Sequence, residues 1–109
     1  MKVVIIPAYQ PDGHLTELVE NLRKSGFVVL VVDDGSKEKY QSVFKSISKK
    51  AMVIHSPCNE GKGAALKKGI LVLKEFYPKI PLVIEFPFKD TGIFSAVEKS
   101  CMYVLTEIL

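Results

Sequence analysis

The sequence predicts an α/β protein, a three-layer α/β/α sandwich with a mainly parallel sheet. Short apolar segments rich in β-branched residues recur four times along the 109 residues. Each is followed by a longer segment whose apolar residues recur at helical spacing. A strand that is apolar throughout is buried on both faces, as in parallel sheets. Strands that alternate with helices predict right-handed crossovers, with helices on both faces of the sheet.

Two strand–helix units are predicted in the first half of the chain. Residues 2–7 and residues 27–32 are apolar and rich in valine and isoleucine, which predicts two buried strands. Gly26 suits the position after the first helix, and Ser36 is expected to cap the second helix. Apolar residues share one face of each helix: Leu15, Leu18, Val19 and Leu22, then Tyr40, Val43, Phe44 and Ile47.

The second half of the chain repeats the alternation. Residues 51–56 predict a short third strand, and residues 59–78 open with glycines, continue as a helix and end before a proline. Residues 81–86 predict a fourth strand. The last segment, residues 92–109, is expected to be a helix with one apolar face: Ile93, Val97, Val104 and Ile108.

Composition and charge exclude several classes of protein. The chain is expected to form one domain, residues 1–109, because this length buries a single core. A hydrophobic fraction of 48% indicates a soluble globular protein without a membrane segment, and we expect it in the cytoplasm. The net charge of +3, without a basic block interleaved with aromatics, argues against nucleic acid as a partner. Cys58 and Cys101 lack the spacing of a zinc site or a disulfide framework.

Polar residues follow the first three predicted strands, at the point where each strand ends. These segments are PAYQ, DDGS and SPCNEGKG. In parallel sheets, ligands bind outside the carboxyl ends of the strands. Asp33 and Asp34 can accept hydrogen bonds from the N–H edge of a base or from ribose hydroxyls. A turn is the alternative interpretation of this segment; we prefer it for Gly35 and Ser36, and we prefer binding for the two aspartates.

The segment NEGKGAALKKG, residues 59–69, has features of a phosphate site. Gly61 and Gly63 let the backbone approach a ligand closely, a helix N-terminus presents N–H groups, and Lys62 adds a positive charge. The segment does not match the P-loop, so a glycine-containing helix start with solvated lysines is the alternative. His14 and His55 lack metal-ligand spacing and are interpreted as a surface residue and a strand residue.

In order, VVIIPAYQPDGHLTELVENL, VVLVVDDGSKE and VIHSPCNEGKGAALKKGI closely resemble the start of a family 2 glycosyltransferase, of the dolichyl-phosphate-mannose-synthase-like kind, over residues 2–70. The resemblance implies the Rossmann-like, N-terminal nucleotide-sugar-binding half of a GT-A fold. It implies a UDP or GDP sugar as the partner. It also implies site residues: Pro7, Ala8 and Tyr9 bordering the nucleoside, Asp33 and Asp34 holding the base or ribose, and Gly61, Lys62 and Gly63 near the ribose or diphosphate.

The sequence departs from the family after the fourth strand. The resemblance implies Mg²⁺ or Mn²⁺ held by a DxD-type motif, but residues 82–92 read LVIEFPFKDTG, where Glu85 and Asp90 are five positions apart. Glu85 is a poor substitute ligand, and Asp90 is interpreted as a helix cap. The acceptor-side half with its catalytic base is absent too. We therefore expect no complete metal site and no catalytic residue in this chain.

Two functions remain open at this point. The chain is either the donor-binding part of a glycosyltransferase that lacks full activity, or a non-catalytic nucleotide-binding or self-associating remnant module. A half-domain leaves a sheet edge and an apolar helix face uncovered. We therefore expect a homo-oligomer.

Overall fold

A computed structural model describes residues 2–76, 82–85 and 103–107. Its strands and helices, in chain order, are β1 (Lys2–Ala8), α1 (His14–Lys24), β2 (Val28–Asp33), a 3₁₀ turn (Glu38–Tyr40), α2 (Gln41–Ile47), β3 (Met52–His55), α3 (Lys62–Phe76), β4 (Leu82–Glu85) and β5 (Tyr103–Glu107). None of the helices in these ranges is both long enough and apolar enough to cross a membrane.

The five strands form one sheet in the order β3-β2-β1-β5-β4. β2 lies between β1 and β3 and pairs in parallel with both. β5 is antiparallel to both of its neighbours, β1 and β4. The other four strands therefore share one direction, which confirms the predicted α/β class with a mainly parallel sheet.

The two faces of β1 are buried against different helices. Val4 and Ile6 pack in one cluster with residues of α1 and α2. Val3 and Ile5 pack in a second cluster with residues of α3. Successive side chains of a strand point to opposite faces, and here both faces are covered. The strand is therefore apolar at every one of these positions, and the sheet forms the middle of three layers.

Tyr103–Glu107 form β5, so the expectation of a helix there is wrong. Tyr103, Val104 and Thr106 are residue types that favour strands, and β5 pairs its backbone with both β1 and β4. The remainder of the expected helix lies outside the described residues.

The end of α1 is as predicted. Gly26 has the left-handed backbone conformation, with φ of 86°. The N–H of Phe27 donates to the carbonyl of Leu22 at 3.0 Å, which closes the helix end.

Candidate functional site

The last residues of the three parallel strands lie side by side. In the strand register, Ala8 of β1 pairs with Asp33 of β2, and Asp33 pairs with His55 of β3. Beyond the strands, the Asp34 N–H donates to the Ala8 carbonyl at 2.9 Å, and the Ser56 N–H donates to the Asp33 carbonyl at 2.8 Å. The three loops that the sequence places at strand ends therefore meet at one edge of the sheet.

Asp33 is a buried carboxylate with three hydrogen-bond donors. Only 2% of the residue is exposed. Oδ1 accepts from the Ser36 N–H at 2.8 Å, and Oδ2 accepts from His55 Nδ1 at 2.8 Å and from Gln41 Nε2 at 3.2 Å. Burial acts to raise the pKa of Asp33, but the hydrogen bonds from His55, Ser36 and Gln41 outweigh it and hold the pKa below its ordinary value. Asp33 is therefore ionised at neutral pH.

Asp34 bridges the end of β2 to the start of α3. It is 4% exposed. Its Oδ1 accepts from the Glu60 N–H and its Oδ2 from the Gly61 N–H, both at 3.0 Å. Gly61 has a φ of 95° and directly precedes α3. We call this arrangement the Asp34 clamp: one carboxylate that fixes the backbone leading into a helix N-terminus.

Gly35 packs directly against the loop that follows β3. Its φ is 77°, and a Cβ at this position would overlap the backbone of Cys58 and Asn59. Glycine is therefore the residue type that fits both the conformation and the space. This contact, together with the Asp34 clamp, holds the loops after β2 and β3 against each other.

Ser36 ties the loop after β1 to the same edge. Its Oγ accepts from the Gln10 N–H at 2.8 Å, and Gln10 has a φ of 50°, a conformation that costs free energy outside glycine. The expectation that Ser36 caps the second helix is wrong. A 3₁₀ turn intervenes, and Tyr40 is the N-cap of α2.

His55 is a site residue that the sequence analysis missed. The sequence predicts a strand residue without metal-ligand spacing, and His55 does end β3, but its Nδ1 also contacts Asp33. Its ring also meets the ring of Phe44 edge-on, with centroids 5.8 Å apart and an interplanar angle of 76°. The available signal was its position, since it ends the strand next to the one that ends in Asp33.

The start of α3 presents the groups that bind anions. The Ala65 N–H donates to the Gly61 carbonyl at 3.1 Å and is the first helical hydrogen bond. The N–H groups of residues 62–64 precede it and have no acceptor within the helix. One turn on, Lys68 Nζ lies 2.9 Å from Ser56 Oγ and 3.5 Å from Glu60 Oε1. A helix N-terminus beside lysines favours negative charge.

Comparison with known families decides the identity of the chain. Residues 3–75 match the model of Glycosyl transferase family 2. The chain belongs to this family. This confirms the family that the sequence resembles, whereas the dolichyl-phosphate-mannose-synthase-like subtype stays a prediction.

Two relatives of this family 2 chain come from Methanocaldococcus jannaschii, and both are uncharacterized. MJ0544 is 34% identical over 71 residues, which cover 62% of this chain and 31% of that protein. MJ1222 is 33% identical over 105 residues, which cover 95% of this chain and 42% of that protein. The chain therefore spans less than half the length of these curated relatives. No solved structure matches it significantly.

The other family 2 site residues predicted from the sequence lie along the same edge. Pro7 and Ala8 are buried at the end of β1, and Tyr9, which follows, is 48% exposed. Lys62 and Gly63 open α3. The structure thus brings Asp33, Asp34, Ala8 and Gly61 into one hydrogen-bonded network, with the others next to it in the chain. Contact of any of them with a nucleotide stays a prediction.

The metal implied by the family does not fit the described residues. Within ranges 2–76, 82–85 and 103–107, no three His, Cys, Asp or Glu side chains form a group that could hold a metal ion. The oxygens of Asp33 and Asp34 already accept N–H donors. Glu85 is the last residue of β4, and Asp90 lies outside the described residues.

Proposed function

We propose that this chain binds the nucleotide part of a UDP or GDP sugar at the carboxyl edge of β1, β2 and β3. It would thereby form the donor-binding half of a family 2 glycosyltransferase of the dolichyl-phosphate-mannose-synthase-like kind. The observation that carries the proposal is the pair of buried carboxylates, Asp33 and Asp34, which join the loop after β2 to the end of β3 and to the backbone before α3. Buried charges with several donors at such an edge are typical of binding sites.

Asp33 is proposed to hold the base or the ribose. Each carboxylate oxygen can accept about two hydrogen bonds. Oδ2 of Asp33 accepts two, from His55 and Gln41, and Oδ1 accepts the Ser36 N–H. The Ser36 side chain also hydrogen-bonds this carboxylate. An N–H of a base or a hydroxyl of ribose is proposed to take the place of the Ser36 hydroxyl on Asp33. Pro7, Ala8 and the half-exposed Tyr9 would border the nucleoside on the β1 side.

The diphosphate is proposed to lie at the start of α3. Gly61, Lys62 and Gly63 stand there, where helical N–H groups lack intrahelical acceptors and a helix dipole favours anions. The Asp34 clamp supports this proposal because it fixes the Gly61 backbone through its hydrogen bonds to the N–H groups of Glu60 and Gly61. In this assignment Asp34 acts on the diphosphate through the loop that it orients.

Sugar transfer also requires an acceptor site and a base, for which the described residues offer no candidate. We therefore propose that the isolated chain binds donor nucleotide without completing transfer. Because the described residues offer no metal centre, its nucleotide affinity should not depend on Mn²⁺.

Calorimetric titration with UDP and with GDP, each with and without Mn²⁺, tests the proposal. One of the two nucleotides should bind the unmodified chain. Asp33→Ala should weaken that binding by roughly tenfold or more, because hydrogen bonds to charged groups contribute about 1.5–3 kcal/mol. Asp33→Asn keeps the side-chain volume and separates loss of charge from loss of packing.

Glu75→Ala is the matched control, since it removes the same charge from an exposed position in the last turn of α3. This control should bind like the unmodified chain. Circular dichroism must show that each variant is folded. Absence of binding by both nucleotides, or equal binding by folded Asp33 variants, would refute the proposal.

A further inference from the structure

The His55 imidazole is a polar group at this edge to which the donor site described above assigns no role. Its Nδ1 lies 2.8 Å from Asp33 Oδ2. A carboxylate only accepts hydrogen bonds, and the lowered pKa of Asp33 keeps it ionised at neutral pH. Nδ1 must therefore carry a proton. In the neutral imidazole the other ring nitrogen, Nε2, is then an unprotonated acceptor.

The position of the ring exposes it to a ligand. The Asp33 side chain is only 3% exposed, whereas the His55 side chain is 53% exposed. The ring is held at two points, by Asp33 at Nδ1 and by the edge-on contact with Phe44. A planar ligand that hydrogen-bonds Asp33 at the end of β2 therefore lies close to the imidazole as well. The contacts with Asp33 and Phe44 fix the ring orientation before the ligand binds.

We propose that His55 determines nucleobase specificity, with Nε2 accepting a hydrogen bond from a ring N–H of the base. This inference rests on the nucleotide binding proposed above. Uracil at N3 and guanine at N1 carry a ring N–H, whereas cytosine at N3 and adenine at N1 carry a lone pair. Nε2 of the neutral His55 ring therefore complements the ring N–H of the first pair of bases and faces a lone pair at the same ring position in the second pair.

The tautomer can be tested without any nucleotide. The ¹⁵N shifts of protonated and unprotonated ring nitrogens differ, so long-range ¹H–¹⁵N NMR of the unmodified chain reports where the His55 proton resides. In the neutral ring we expect the proton on Nδ1 and an unprotonated Nε2. A proton on Nε2 of the neutral ring would overturn the inference, even if nucleotides bind.

His55→Asn separates a base contact from a merely positioning role. The asparagine amide can take the place of Nδ1 and still donate to Asp33, but it provides no acceptor at the place of Nε2. In titrations with UDP, GDP, CDP and ADP, we expect it to weaken UDP or GDP binding by about tenfold and to reduce the discrimination against CDP and ADP. His55→Phe keeps an aromatic ring but removes both ring nitrogens, and it should bind no better than His55→Asn.

His14→Asn is the matched control. His14 makes the same kind of contact, from Nδ1 to Asp12 Oδ1 at 2.9 Å, but on the exposed surface at the start of α1. It should leave the affinity for all four nucleotides unchanged. Wild-type affinity in His55→Asn would overturn the inference, because it would show that holding Asp33 is the only role of the ring.

A methylated nucleotide tests the same hydrogen bond by changing the ligand. UDP methylated at N3, or GDP methylated at N1, lacks the ring N–H and should bind the unmodified chain about tenfold more weakly than its parent. The same methyl group should have little further effect in His55→Asn, since the contact is already lost. Equal losses in both proteins would overturn the contact with His55 while leaving nucleotide binding intact. If none of the four nucleotides binds the unmodified chain, the proposed function fails first and this inference fails with it.

Discussion

Removing the Asp34 carboxylate should destabilise the fold and release the backbone before α3. Asp34 is 4% exposed, and its two oxygens accept the N–H groups of Glu60 and Gly61. A buried N–H left without an acceptor costs about 1–3 kcal/mol. Asp34→Ala leaves the N–H groups of Glu60 and Gly61 without this acceptor, and water can replace part of the loss because Glu60 is exposed and Gly61 is partly exposed. We therefore expect a loss of about 2–4 kcal/mol in the free energy of unfolding.

Urea and thermal denaturation followed by circular dichroism measure this loss. For a domain of this size, 1 kcal/mol shifts the melting temperature by about 4–8 °C, so Asp34→Ala should melt roughly 10–25 °C lower. Asp34→Asn keeps one acceptor oxygen and should lose about half as much. Amide hydrogen exchange should show faster exchange at Glu60 and Gly61 in both variants.

Asp12→Asn is the control for this experiment. Asp12 also accepts a backbone N–H, that of His14, but it lies on the surface, where water can replace the contact. Its substitution should change the melting temperature little. If Asp34→Ala melts with the unmodified chain, or if exchange at Glu60 and Gly61 is unchanged, then the Asp34 clamp does not hold the loop.

Three further predictions follow from the same edge of the molecule and from the sheet. Gly35→Ala should lower the free energy of unfolding by about 2–4 kcal/mol in urea titrations, because a Cβ there would overlap the backbone of Cys58 and Asn59 at a φ of 77°; Gly13→Ala, with nothing within 4 Å of its Cβ, is the control. Asp33 has a lowered pKa in the folded state, so its contribution to stability should be present above its unfolded pKa of 3.8 and be lost as the pH falls below that value. The difference in the free energy of unfolding between the unmodified chain and Asp33→Asn should therefore shrink between pH 7 and pH 3. A constant difference would contradict the lowered pKa. The homo-oligomer predicted from the sequence should sediment faster than a monomer at micromolar concentration. Met52 lies on the outer strand β3 and is 42% exposed, so Met52→Lys should reduce association. A monomer of the unmodified chain at that concentration would contradict the predicted oligomer.

The parallel part of the sheet could be predicted from the sequence because its cause is local. Residues such as Val3 and Val4 lie on opposite faces of β1, and both are buried. Two covered faces require an apolar residue at every position, and this requirement is visible in the sequence. Alternation with helices then places the strand ends at one edge, so the loops of the candidate site could be predicted as well.

The remaining features depend on contacts between distant segments. The segment YVLTE at Tyr103–Glu107 fits the helical spacing of Val97, Val104 and Ile108, but its pairing with β1, at the other end of the chain, and with β4 makes it a strand. The contact of His55 with Asp33 likewise depends on the register of β2 and β3. The predicted strand ends indicate that His55 and Asp33 lie at the same edge of the sheet, but no local pattern in the sequence contains the register that makes them neighbours.

The two adjacent carboxylates have different roles because they accept hydrogen bonds from different segments of the chain. Asp33 accepts from the α2 side and from the end of β3, through Gln41 and His55, whereas Asp34 accepts from the backbone before α3. The donors on Asp34 are backbone N–H groups, and two of the donors on Asp33, the Ser36 N–H and the Gln41 amide, carry no charge. Asp33 would repel a diphosphate, whereas the N–H groups of residues 62–64 and the helix dipole at the start of α3 favour an anion. If the proposed nucleotide binds, these charges fix its direction, with the base toward Asp33 and His55 and the diphosphate toward Gly61.

Inorganic pyrophosphate should accordingly compete with UDP or GDP, and Lys62→Ala should weaken pyrophosphate binding while Glu75→Ala does not. Unchanged pyrophosphate binding in Lys62→Ala would show that the diphosphate lies elsewhere.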